Sequence, residues 1–408
     1  MNKIVIFGAG NIGRSLVGLL FSQAGYEVVF IDVLKRLVNL LNEERKYRVE
    51  IRDVNPRTII VDNVRAVHAA DVEKALLEIA TADIIATAVG PNNLKGVYPL
   101  IAKGLVERLK LGKGPIDIII CENIRNASQI FTEGLFKYLP KDYPLESTVG
   151  LVETSIGKMV PIMTEEQKSR DSLLVYAEAY SKIIVDGKAF KLGVPKVKGI
   201  EPKDNITAYV DRKFFVHNLG HATTAYLGFI TNPGMKYIWQ AIENDHIRSA
   251  VKHTMWESGE SLIREYPGEF SKQDMKEYID DLIRRFDNRF LGDTLYRVGR
   301  DLPRKLSRNE RLIGALLLDQ KNSVPAPYTT IATAAAMFFR ATDEKGNLYS
   351  KDKMFAEKIY PLGIDYILKK ICGLDPREDR FLFQRIKETY RLLDADPTSW
   401  IELAKEGS

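Results

Sequence analysis

The stretch "DRKFFVHNLGHATTAYLG", residues 211–228, sets Lys213, His217, Asn218 and His221 within nine positions of otherwise apolar chain. An amine, an amide and two imidazoles can between them exchange a proton and hydrogen-bond an oxygen. On a helix turning about 100° per residue, with Lys213 at zero, His217 falls at about 40°, His221 at about 80° and Asn218 at about 140°. The four then share a face, and Phe215, Val216 and Leu219 fill the opposite, packed side. Gly220 and Ala225 are expected to keep the polar face low and open to close approach. Spacing alone leaves two readings open: an ordinary surface helix, or a catalytic face.

A second group of residues points to a nucleotide. "FGAGNIGR" (7–14) places Gly8, Gly10 and Gly13 in a G-x-G-x-x-G pattern directly after the apolar run "KIVIF" and at the start of a helical stretch. Asp32 closes the next strand-like run, 19 residues past Gly13. That context is the one the dinucleotide fingerprint requires: a tight turn at Gly8, close backbone approach at Gly10, helix–strand packing at Gly13, and phosphates on the helix N-terminus. The expected cofactor residues are Gly8, Ala9, Gly10, Asn11, Ile12, Gly13 and Asp32, with Ala88 and Val89 at a later strand end. A carboxylate at Asp32 accepts from both ribose hydroxyls and repels a 2′-phosphate, which favours NAD over NADP; Lys35 and Arg36 lie near enough to soften that preference. "CENIRN" (121–126), with Glu122 and Asn123, should border the same crevice.

The elements that would position these groups are read from hydrophobic patterning. Continuous apolar runs at 3–7, 27–31, 83–89, 116–121 and 148–153 alternate with helical segments, as in a doubly wound parallel sheet of α/β class. Residues 57–69 read as one or two extra strands, and "SLLVYAEAYSKIIVDG" as two antiparallel additions. "KLGVPKVKGIEPKDN" is the best linker, so the expected division is a nucleotide-binding domain over 1–197 and a mostly α-helical substrate domain over 198–408. The length of 408 residues fits two domains. A net charge of +5 from 59 basic and 54 acidic residues is too balanced to argue for nucleic acid. Cys121 and Cys372, the only cysteines, read as reduced thiols of a cytoplasmic protein. The longest apolar stretches are too short to span a bilayer, and the first strand starts too early for a signal peptide.

"RVGRDLPRKLSRNER" (297–311) gathers Arg297, Arg300, Arg304, Lys305, Arg308 and Arg311. "SRNE" reads as a capping box with a helix starting at Ser307, so the preceding loop would feed a helix N-terminus suited to an anion. Arg308 and Arg311 fit a solvated face of that helix.

With these residues in view, the chain resembles the polyol-specific long-chain dehydrogenases, the mannitol dehydrogenase family. Its K-x4-N-x2-H signature is met by Lys213, Asn218 and His221, and "LNEERKYRVE", "TAVGP", "IAKGLVERL", "ESGESLI" and "RVGRDLPRKLSRNERLIG" extend the likeness over most of the chain toward the branch acting on phosphorylated substrates. The resemblance implies metal-independent hydride transfer to NAD, with Lys213 as general acid–base and Asn218 and His221 on the reacting oxygen. It implies interconversion of mannitol 1-phosphate and fructose 6-phosphate. Phosphate binding falls to Arg300, Arg304 and Lys305 and, more weakly, Arg297, with Glu122 and Asn123 also facing substrate. His217 lies outside the signature and is taken as structural. The five histidines and two cysteines make no metal-type spacing, and His253 with Glu257 reads as a surface pair. Where the family tends to carry Asp-Arg before its Pro motif, this chain has Gly157 and Lys158. Past about Arg340 the resemblance is loose. Two other readings stand: reduction of an unphosphorylated ketose or keto-uronate, and a non-catalytic NAD-binding sensor.

Overall fold

The computed structural model describes residues 2–161, 163 and 165–406. The chain forms two compact units, Met1–Val210 and Asp211–Ser408.

The first unit is built on an eight-stranded sheet. Its strands are β1 (Lys3–Phe7), β2 (Glu27–Asp32), β5 (Val64–His68), β6 (Ile84–Thr87), β7 (Ile116–Ile120), β8 (Val149–Ser155), β10 (Ile183–Asp186) and β11 (Ile200–Lys203), in the order β11-β10-β8-β7-β6-β1-β2-β5. The central pairs are parallel; β1 lies between β2 and β6, where the order reverses. Successive residues of β1 feed opposite layers, Ile4 and Ile6 one core, Val5 and Phe7 the other. That is why the strand reads as an unbroken apolar run. The carboxyl end of β1 is the topological switch point, where α/β sheets bind ligands.

Three expectations change. β3 (Tyr47–Ile51), unforeseen, pairs with β4 (Arg57–Val61) and β9 (Val175–Ala177) in a separate three-stranded sheet. Of the two runs expected as antiparallel additions, β10 does lie antiparallel to β8, but β9 runs parallel to β3. The segment read as linker contains β11, which pairs with β10 inside the first compact unit.

The second unit is helical, as expected. Its centre is the helix Asn218–Thr231, buried at nearly every position and enclosed by helices that include Asp245–Glu265 and Pro327–Ala336. The tail closes this unit: Arg380–Ala395 packs on Pro327–Ala336, and Trp400, 1% exposed, donates its indole N–H to Thr231 Oγ1 at 3.1 Å. Glu257 is not a surface residue. It is buried, and its carboxylate accepts from the Tyr328 and Thr329 N–H groups at 2.9 and 2.8 Å, capping that helix, while His253 stacks on Tyr328. No helix among the described residues is long and apolar enough to cross a membrane.

A Cβ added at Gly13 would collide with the Gly8 carbonyl oxygen, whereas one at Gly10 meets nothing within 4 Å. Gly13→Ala is expected to cost about 3 kcal/mol in urea unfolding and Gly10→Ala no more than about 0.5. Equal costs would contradict this packing.

Candidate active site

In the first unit, the loop after β1 is held from three sides. Gly8, at φ +96°, donates its N–H to Ile31 O at 2.9 Å, and a side chain there would strike Ala88 O. The Ala9 N–H donates to Asp32 Oδ2 at 2.7 Å, and Asp32 Oδ1 accepts from Leu34 N–H at 2.9 Å. Arg14, which sequence reasoning passed over, is buried: Nε donates to Ala9 O at 2.7 Å and Nη1 to Leu173 O at 2.8 Å. Its position just after the third glycine was the only signal. Gly10 and Asn11 are exposed and Ile12 packs on the sheet core. Lys35 is exposed, and Arg36 is drawn to Ser172 Oγ at 3.2 Å.

The neighbouring strand ends are braced by carboxylates. Ala88 N–H donates to Phe7 O at 2.8 Å. Glu122, expected on the substrate, is 7% exposed and accepts from the Val89 and Gly90 N–H groups at 2.9 and 2.8 Å, so it shapes the loop after β6. Burial pushes its carboxyl up, against those hydrogen bonds. Asn123 is exposed. Lys158, in the position that departs from the family, is buried and donates to Tyr180 O at 2.7 Å.

In the second unit the chain from Lys213 to His217 takes wide turns, with the Asn218 N–H donating to the Lys213 carbonyl five residues back. Such turns rotate the later residues relative to a regular helix and recur at functional sites. They explain why Gly220 does not open the polar face: its missing side chain faces Met255, and Ala225 is fully buried. Lys213 is half-buried. Burial first, and then the charges of Arg311 and Arg304 against the opposing pull of Glu310, bring its amine down to about 7. Asn218 is 9% exposed, and its Nδ2 makes no hydrogen bond among the described residues. His221 stacks on Phe286, centroids 4.6 Å apart, with Nε2 3.0 Å from Asp293 Oδ2. Burial keeps the imidazole below its usual range although Asp293 opposes it. His217 is buried 6.0 Å from the His221 ring, its Nδ1 likewise without a hydrogen bond among the described residues.

The basic cluster divides. Arg297 pairs with buried Asp293, so it braces the carboxylate behind His221. Burial would raise the Asp293 carboxyl, but Arg297 and His221 outweigh it and hold it below the usual range. Lys305 is 4% exposed and donates to Val298 O, and burial drives its amine far below the normal range. Arg304 stays partly exposed, held by Asp301 at 2.6 Å and Glu310 at 2.7 Å. Arg300 lies over the rings of Tyr296 and Tyr349, 5.4 and 5.3 Å from their centroids. No helix starts at Ser307; after Leu302–Lys305 the chain turns, and the next helix is Ile313–Lys321. Glu310 does not reach back to cap Ser307 because Arg304 and Arg311 engage it. Arg311 is buried instead of solvated, and Arg308 binds Asp379 at 2.6 Å.

Two family models match this chain, the mannitol dehydrogenase Rossmann domain over residues 2–199 and the mannitol dehydrogenase C-terminal domain over 205–360. The chain belongs to the mannitol dehydrogenase family. It is 36% identical to a mannitol-1-phosphate 5-dehydrogenase of Bacillus velezensis, over 91% of this chain and 95% of the relative, and 36% identical to one of Brevibacillus brevis, over 82% and 85%. The same fold occurs in Pseudomonas fluorescens mannitol 2-dehydrogenase, solved as a ternary complex with NAD and D-mannitol: TM-score 0.81, 15% identity, 99% of this chain and 94% of that one. A D-sorbitol dehydrogenase in substrate-free form matches at TM-score 0.77 and 16% identity, over 98% and 94%.

The Lys213 environment makes a prediction independent of turnover. Selective lysine NMR should give an amine titrating at about 7 that is lost in Lys213→Ala. Arg311→Met should move it upward, since it removes a like charge and frees Glu310 to favour the ammonium. A Lys213 resonance titrating near 10 in the unaltered protein would contradict the electrostatic assignment.

Proposed function

We propose that this oxidoreductase uses NAD to interconvert D-mannitol 1-phosphate and D-fructose 6-phosphate, with Lys213 as general acid–base. What supports the reading is the placement of half-buried Lys213 with buried Asn218 and His221 on one segment, where burial and the charge of Arg311 lower the amine to about 7. An ordinary lysine is almost wholly protonated at neutral pH and makes a poor base; one near 7 can serve in both directions.

The first unit fits the cofactor. Gly10 leaves open space for close backbone approach, and the Asp32 carboxylate, already fixed by two backbone N–H groups, keeps lone pairs for ribose hydroxyls. When bound, NAD supplies the hydride acceptor for alcohol oxidation. The neutral Lys213 amine takes the hydroxyl proton as the carbonyl forms, and its ammonium returns that proton in the reverse direction. The buried Asn218 Nδ2 is a donor suited to the reacting oxygen, where negative charge grows. Asp293 Oδ2 lies 3.0 Å from Nε2 of His221, which makes no hydrogen bond among the described residues, and the neutral imidazole is a group suited to a substrate hydroxyl.

Arg300 and Arg304 are the cations we assign to the phosphate. Arginine's planar fork suits that group, and the two flank Asp301, Arg300 just before it and Arg304 in the short helix Leu302–Lys305. The internal engagement of Arg297 and Lys305 leaves fewer cations than the sequence offered, which favours the second reading, an unphosphorylated ketose, more than the sequence alone did.

Mixing the protein with NADH and following nicotinamide absorbance should show fast oxidation by fructose 6-phosphate and slow oxidation by fructose. Lys213→Ala should lower turnover roughly a hundredfold or more while NADH affinity stays near wild type. Undiminished turnover in that variant would remove the lysine from the mechanism.

A further inference from the structure

Asp301 takes φ +73°, in the left-handed region that residues with a side chain adopt uncommonly, aspartate more often than most. The group that holds it lies 51 residues further along the chain. Asp352, 3% exposed, accepts from the Asp301 N–H at 2.9 Å and from the Leu302 N–H at 2.7 Å. Three residues before it, Tyr349 lies against the Arg300 guanidinium, and Lys351 reaches Asp301 Oδ1 at 3.4 Å. Asp301 Oδ2 in turn accepts from Arg304 Nε at 2.6 Å. Both arginines assigned to the phosphate thus flank a turn into the short helix Leu302–Lys305 whose backbone is pinned by one buried carboxylate.

We propose that Asp352 is a positioning residue for phosphate recognition: it fixes the Arg300–Arg304 loop so that the two guanidinium groups meet a sugar phosphate together. The proposal rests on the functional reading above and deepens it. Asp352 itself binds no substrate. Its two short backbone bonds set the Asp301 conformation, Asp301 aims Arg304, and Tyr349 on the same segment seats Arg300. A buried carboxylate offsets its desolvation only where its hydrogen bonds are made, and here both are made to the two residues that open the turn. An Asn at 352 keeps one acceptor oxygen and turns a donor toward the second N–H; an Ala keeps neither.

The test is steady-state reduction of fructose 6-phosphate by NADH in wild type, Asp352→Asn and Asp352→Ala, with fructose as comparator and inorganic phosphate as competitive inhibitor. The expected result is a KM for fructose 6-phosphate raised about tenfold in the Ala variant and less in the Asn variant. kcat should stay within about threefold, and the inhibition constant of inorganic phosphate should weaken in parallel, as for loss of an interaction made equally in ground and transition states. Should the Ala variant fail to fold, Asp352→Asn and Tyr349→Leu carry the same split. Unchanged KM and phosphate inhibition, or a fall in kcat alone, would overturn the positioning role. A wild-type enzyme with no preference for fructose 6-phosphate over fructose would overturn the functional reading itself, a result visible before any variant is made.

Discussion

The chemistry proposed for this protein depends on one electrostatic arrangement: an amine held half out of water, close to a buried arginine. Desolvation alone disfavours the Lys213 ammonium, and Arg311 disfavours it further. Arg311 is itself only 7% exposed, and it stays in place because Glu310 accepts from it at 3.2 Å. Glu310 also takes a guanidinium N–H from Arg304. The base and one of the proposed phosphate ligands are therefore coupled through a single carboxylate.

A second device recurs through both units. Buried or half-buried carboxylates accept from backbone N–H groups at the places where loops must keep a fixed shape. Asp32 holds Ala9 and Leu34, Glu122 holds Val89 and Gly90, Asp352 holds Asp301 and Leu302, and Glu257 caps Pro327–Ala336. Each buried carboxylate is costly to leave unpaired, so each such loop is tied to one geometry. Arg14 does the same work with opposite sign, binding carbonyls of Ala9 and Leu173.

What the sequence made legible is what local pattern encodes. Strands buried on both faces gave apolar runs, and all five expected in the first unit's parallel sheet are present; Gly8 has the positive φ and Gly13 the close packing its motif requires. The failures share a cause, which is that long-range partners decide the fate of a charged side chain. Nothing in "RVGRDLPRKLSRNER" tells that Asp293 claims Arg297, that Val298 O claims Lys305, or that Glu310 turns to Arg304 and Arg311 instead of capping a helix. The wide turns at Lys213–His217 were likewise invisible, because regular 100° spacing assumes four-residue hydrogen bonds throughout. Strand β3 was missed because its alternation, with Arg48 exposed between buried Tyr47 and Val49, is short and comes directly after a helix.

The measurement that bears most directly on the account is the pH dependence of turnover in both directions. Mannitol 1-phosphate oxidation needs the neutral amine and should rise through an apparent pKa of about 7, while fructose 6-phosphate reduction needs the ammonium and should fall through the same value. Opposite limbs meeting near 7 are the predicted result. Limbs that inflect near 10, where an ordinary lysine titrates, or profiles that do not mirror one another, would contradict the claim that a desolvated Lys213 carries the proton.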